Sequence, residues 1–99
     1  MNDPRAEFDA LLAEYRRDLP QAIVRIDSLL AGARIAELRR ALHTLAGSAG
    51  TYGLPRLGQA AAVAEAHLEA DLPLDAARRA ELERLVARVR DEARNAIGS

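Results

Sequence analysis

The chain has 99 residues, which is enough for one hydrophobic core and too few for two. It contains no cysteine, so disulfides, thiolate nucleophiles and cysteine-based metal sites are excluded. The 14 basic and 15 acidic residues give a net charge of −1, a balance that argues against nucleic-acid binding. No apolar run approaches the roughly 20 residues that cross a bilayer, and the N-terminus lacks the pattern of a signal peptide. We therefore expect a cytoplasmic protein that binds neither membrane nor nucleic acid.

Apolar residues recur at helical spacing from the N-terminus onward, and no stretch alternates with the period of a strand. Asp3 is a typical N-cap residue, and Pro4 after it suits the first position of a helix. The apolar positions continue to Leu19, resume in phase after Pro20 and stop near Gly32. Proline lacks the backbone N–H and clashes with the preceding turn, so the sequence predicts that Pro20 kinks this helix or restarts it.

Three further helices are predicted, at about residues 34–51, 57–70 and 75–97. They are separated by the turn Gly53-Leu54-Pro55 and by the break Asp71-Leu72-Pro73-Leu74-Asp75. Each helix has one apolar stripe to bury, and short connections make sequential helices antiparallel. The predicted fold is all-α, an up-down four-helix bundle with a short or kinked N-terminal helix. We expect one domain over residues 1–99 and a monomer.

The residue that carries the most chemical information is His43, in the second helix. At about 100° per residue, His43 lies roughly 130° from the centre of the apolar stripe and faces outward. A lone exposed histidine is usually an ordinary surface residue. Glycine inside a helix costs about 1 kcal/mol relative to alanine, so the two glycines nearby mark a helix end, a helix–helix contact or the close approach of a partner. The neighbours of His43 on this face are Ala36, Arg39, Arg40, Ala46, Gly47 and Gly50.

The segment from Ala41 to Leu57 resembles the phosphoacceptor helix of histidine-containing phosphotransfer (HPt) domains. The matching residues are His43, Leu45, Gly47, Ser48, Gly50, Gly53 and Leu57. The resemblance implies that His43, through Nε2, accepts a phosphoryl group from the aspartate of a response-regulator receiver domain and passes it to another receiver. It also implies that the magnesium ion resides in the receiver, so that this chain needs no cofactor and no metal. The chain would be a phosphoryl carrier without kinase or hydrolase activity, and its rate would depend on proximity and orientation.

The chain departs from many HPt domains at Ala46, where they carry a lysine three residues after the histidine. We hypothesise that Arg39 or Arg40, one turn earlier on the same face, replaces that cation through charge-assisted hydrogen bonds. The small residues Ala36, Ala46, Gly47 and Gly50 would form the docking surface. The sequence does not identify a residue that holds Nδ1 of His43, and no second titratable group converges on His43 along the chain.

Two other interpretations remain open. A helical adaptor could bind a receiver-like partner through the same face without being phosphorylated. The dimerisation domain of a histidine kinase is disfavoured, because such domains have two long helices and an attached ATP-binding domain. The expected partners are receiver domains, with a hybrid histidine kinase as a further candidate. His67 is expected to be a solvated surface histidine, and its separation from His43 suggests no metal site.

Overall fold

A computed structural model describes residues 3–69 and 73–98 of the protein. All regular structure in these ranges is helical: α1 (Pro4–Ala31), α2 (Ile35–Thr51), α3 (Pro55–Glu69) and α4 (Ala76–Gly98). The predicted all-α bundle with four main helices is confirmed. The predicted break at 71–75 lies partly outside the described residues, as do the ends of the predicted domain at residues 1, 2 and 99. None of the described helices is long and apolar enough to span a membrane.

The four helices pack in a ring in which each contacts two others: α1 with α2, α2 with α3, α3 with α4, and α4 with α1. Three-residue links join α1 to α2 and α2 to α3, which makes these neighbours antiparallel. Every helix contributes aliphatic side chains to one core. The buried residues are Leu19, Ile26, Leu29, Leu30, Leu38, Leu42, Leu45, Ala49, Leu57, Ala60, Ala61, Ala64, Leu68, Leu82, Val86, Val89, Ala93 and Ala96.

Helix α1 is continuous through Pro20, so of the two predicted alternatives, a kinked helix and a restarted one, the restart is excluded. Pro20 is exposed, and the carbonyl that would have bonded its missing N–H can be solvated. The first half of α1 lies beyond the core, with Phe8 41% and Leu11 50% exposed. The reason is length: α1 has 28 residues and α2 only 17, so no equally long neighbour covers the first turns of α1.

The helix ends follow local capping rules. Asp3 Oδ1 accepts a hydrogen bond of 3.0 Å from the backbone N–H of Arg5, as the N-cap prediction requires. Helix α2 ends in a Schellman motif, in which Gly53 adopts a φ of 72° and Leu54 N–H donates to Ala49 C=O at 2.8 Å. The end of α1 has the same bond pattern, but the left-handed residue there is Ala33, with a φ of 53°.

We expect Ala33→Gly to stabilise the protein by about 0.5–1 kcal/mol. Glycine removes the steric cost of a left-handed conformation, about 1–2 kcal/mol, and loses part of that gain to the greater freedom of the unfolded chain. Urea unfolding monitored by circular dichroism measures the change. The reciprocal control is Gly53→Ala, which places a Cβ at a φ of 72° and should destabilise the protein. An Ala33→Gly variant that is less stable than wild type would contradict this account of the turn.

Candidate functional site

His43 lies midway along α2 and points away from the core, with 76% of its side chain exposed. The core face of α2 carries Leu38, Leu42, Leu45 and Ala49, all buried. The helical period therefore leaves His43 on the outer face, as the sequence predicts. Its imidazole is open to solvent and to a second protein.

The Nδ1 atom of His43 lies 2.8 Å from Oε2 of Glu65 on α3. Glu65 is itself 17% exposed, so its carboxylate is held against the bundle while the imidazole projects from it. The prediction that no second titratable group converges on His43 is therefore wrong. Both residues lie 11 positions from Leu54, since 54 − 43 = 11 and 65 − 54 = 11. An antiparallel hairpin centred on Leu54 brings them side by side, and this symmetry about the turn is the signal that could have identified Glu65.

The contact with Glu65 selects one tautomer of the neutral imidazole. An ionised carboxylate only accepts hydrogen bonds, so Nδ1 must carry the proton and donate it to Oε2. The other ring nitrogen, Nε2, then keeps its lone pair and is free to act as a nucleophile. The arrangement is that of a base or nucleophile oriented by a carboxylate.

Gly47 and Gly50 lie on open surface, because a Cβ built at either position meets nothing within 4 Å. Of the explanations offered by the sequence, a helix–helix contact through their missing side chains is excluded for both. Gly50 does fall in the last turn of α2. Ala36 is also exposed, whereas Ala46 is half-buried. The surface C-terminal to His43 on α2 is thus nearly bare backbone.

Arg39 and Arg40 are both exposed on α2, one turn before His43. Neither side chain makes a hydrogen bond or an ion pair with another described residue. Arg40 also lines a groove between α1 and α2, on the other side of α2 from Glu65. Both guanidinium groups are available to an incoming anion without breaking an existing ion pair.

The family model of the Hpt domain matches residues 10–92 of the chain. The chain belongs to the Hpt domain family. No curated protein and no solved structure matches it significantly. Hpt domains are phosphocarrier modules that interact with receiver domains in phosphorelays, and membership of the family implies a phosphotransfer role for this chain. The matched range includes His43, Glu65 and the arginines described above.

The groove of this Hpt domain between α1 and α2 has a volume of about 590 Å³. Its floor is apolar, its rim carries both signs of charge, and hydroxyl groups lie along its α2 side. The lining residues are Tyr15, Asp18, Leu19, Ala22, Arg25, Ile26, Glu37, Arg40, Ala41, Thr44, Leu45 and Ser48. Arg40 and Thr44 flank His43 in sequence, so the groove adjoins the surface around the histidine.

Ser48 of the Hpt motif joins α2 to α1. Its hydroxyl shares a hydrogen bond of 2.7 Å with the hydroxyl of Tyr15, and it also donates to Leu45 C=O at 3.3 Å. Tyr15 stacks on Tyr52 with ring centroids 4.4 Å apart, and Phe8 also stacks on Tyr52 with centroids 6.2 Å apart. Burial raises the pKa of Tyr15, and the bond to Ser48 offsets part of that rise.

His67 is half-buried, so the expectation of a solvated histidine is wrong. Its Nε2 donates to Arg78 C=O at 3.1 Å, and Arg78 Nη2 donates back to His67 C=O at 2.7 Å. This reciprocal pair fastens the end of α3 to the start of α4. Within residues 3–69 and 73–98, no cluster of three His, Cys, Asp or Glu side chains could hold a metal ion.

We expect the stability of this Hpt domain to fall above pH 10.0, the ordinary pKa of tyrosine. Because folding raises the pKa of Tyr15, the unfolded chain loses that proton first, and the stabilisation present below pH 10.0 is lost as the pH rises through the folded value. Urea unfolding at intervals from about pH 8 to 11 measures this slope. Tyr15→Phe should flatten it. An unchanged slope in that variant would assign the effect to other groups.

Proposed function

We propose that this Hpt domain carries a phosphoryl group on Nε2 of His43, which it receives from the aspartyl phosphate of one receiver domain and delivers to the aspartate of another. The observation that supports this best is the hydrogen bond of 2.8 Å between Nδ1 and Glu65, combined with an imidazole that is 76% exposed. An ordinary surface histidine is solvated by water and makes no hydrogen bond to a carboxylate that is itself largely buried.

In the proposed transfer, the Nε2 lone pair attacks the phosphorus of the aspartyl phosphate. The N–P bond forms while the O–P bond breaks, and the receiver carboxylate leaves with the electron pair of that bond. The ring becomes a phosphoimidazolium that keeps its proton on Nδ1, where Glu65 shares the positive charge. The second transfer reverses these changes on a new carboxylate. Magnesium would come with the receiver, where it would stabilise the charge of the transferred group.

The exposed arginines are the candidates for the cation that Ala46 does not provide. Arg39 and Arg40 occupy the positions four and three residues before His43, so their side chains reach the same face. Both lack partners among the described residues, which supports their recruitment by phosphoryl oxygens.

The docking surface would comprise the small residues around His43, namely Ala36, Ala46, Gly47 and Gly50. Small side chains let a receiver bring its aspartate within bonding distance of Nε2, because no bulky side chain stands among these four positions. The proposed partners are response-regulator receivers and, as a possible donor, a hybrid histidine kinase. We propose that the domain acts as a monomer and has no kinase or hydrolase activity of its own.

The test is phosphoryl transfer from a panel of phosphorylated receiver domains with magnesium. We expect acid-labile, base-stable label on the wild type and none on His43→Gln. His67→Gln is the matched control, since it removes the other histidine of the chain and should retain the label. If no receiver labels the wild type while binding persists and is insensitive to His43→Gln, the chain acts as the unphosphorylated adaptor instead.

We expect Arg39→Ala and Arg40→Ala each to slow transfer about threefold, and the double variant about tenfold, as suits exposed charges that act through charge-assisted hydrogen bonds. The loss should shrink at high salt, which screens exposed charges. Rapid-quench measurement of label appearance gives the rates. Arg88→Ala is the control, because Arg88 is exposed on α4. Equal rates for all four proteins and the wild type would show that neither arginine replaces the missing cation.

A further inference from the structure

Helices α2 and α3 are in close contact at Gly58, a buried glycine in the first turn of α3. A Cβ built on Gly58 would lie 3.2 Å from Ala46 C=O, 3.5 Å from the backbone nitrogen of Gly50 and 3.6 Å from Ala49 Cβ. Two of these three neighbours are backbone atoms of α2. Only the 3.2 Å contact with Ala46 C=O is shorter than ordinary van der Waals distance, and a backbone carbonyl cannot turn aside as a side chain would. A methyl group at Gly58 therefore requires a shift of a few tenths of an ångström between the two helices.

Gly58 and Glu65 are seven residues apart on α3, which is close to two helical turns. They therefore lie on the same side of α3, the side that faces α2. Gly58 contacts Ala46 of α2, and Glu65 contacts His43, which lies three residues before Ala46. A displacement of α3 at Gly58 is transmitted along a rigid helix to the hydrogen bond between Glu65 and His43.

We propose that Gly58 is a positioning residue, whose missing side chain sets the spacing between α2 and α3 at which Glu65 reaches Nδ1 of His43. Further along α3, Ala61 and Ala64 are buried with their Cβ atoms in place. Among the described glycines of α2 and α3, a Cβ at Gly47 or Gly50 meets open space, whereas a Cβ at Gly58 requires a shift of a few tenths of an ångström. The effect of Gly58 on phosphoryl transfer rests on the proposed function. Its effect on the tautomer of His43 can be measured whether or not the domain carries a phosphoryl group.

The first test is the tautomer of His43 in the intact chain, read from the imidazole ¹⁵N chemical shifts. We expect wild type to carry the proton on Nδ1, and Gly58→Ala and then Gly58→Val to shift the ring progressively toward a mixture of both tautomers. Gly98→Ala is the control, because a Cβ there, at the exposed end of α4, meets nothing within 4 Å, and it should keep the wild-type spectrum. If Gly58→Val does not fold, Gly58→Ala alone decides. A wild-type spectrum for a folded Gly58→Ala overturns the proposal.

The second test separates positioning from a general packing role by a double-mutant cycle with Glu65→Gln. If Gly58 acts through Glu65, Gly58→Ala should slow phosphoryl transfer several-fold in the wild-type background and have no further effect in Glu65→Gln. Equal losses in both backgrounds would mean that Gly58 acts on the bundle as a whole, which contradicts the proposal. The absence of transfer to any of these proteins, with the tautomer shift observed, would overturn the proposed function and leave the role of Gly58 intact.

Discussion

The site depends on one constraint, which is the close approach of the α2 and α3 backbones. His43 is exposed and Glu65 is largely covered, and their hydrogen bond of 2.8 Å exists only because the two helices lie close together. Small residues make this approach possible, with Gly58 against Ala46 and Ala49. Burial of apolar surface stabilises a protein by about 25 cal/mol per Å², and small residues bury little such surface. The leucines elsewhere in the core therefore supply much of the hydrophobic stabilisation that this interface lacks.

The two sides of α2 differ in the same sense. Toward α3 the helix is closely packed, and toward α1 it borders a groove of about 590 Å³. The bond between Tyr15 and Ser48 holds α1 against α2 at one end of this groove. His43 thus stands on a helix that is fixed from one side and accessible from the other. In the proposed transfer, an imidazole on such a helix would be exposed and yet fixed in orientation. A fixed orientation of the reacting groups lowers the barrier to transfer between two proteins.

The sequence predicts well what depends on neighbours along the chain. The four helices, the N-cap at Asp3, the turn at Gly53 and the outward direction of His43 all follow from local spacing and capping, and the structure confirms them. It predicts poorly what depends on helix lengths and register. The exposure of Phe8 reflects how far neighbouring helices extend, which no local pattern encodes. Glu65 was missed because its partner is 22 residues away, and the pairing emerges only when positions are counted in both directions from the turn at Leu54.

Glycine shows the same division in another form. Gly47 and Gly50 attract attention in the sequence because they lie beside the histidine, and the structure leaves both on open surface. Gly58 has no such neighbour, yet it is the glycine that a methyl group would disturb. A helical glycine with open space at its Cβ position leaves room for something outside the chain, whereas the one under a backbone carbonyl affects the packing of the chain itself. The surface around His43 therefore combines two separate requirements: bare backbone where a partner must come close, and a close internal contact that keeps the imidazole in a single tautomer.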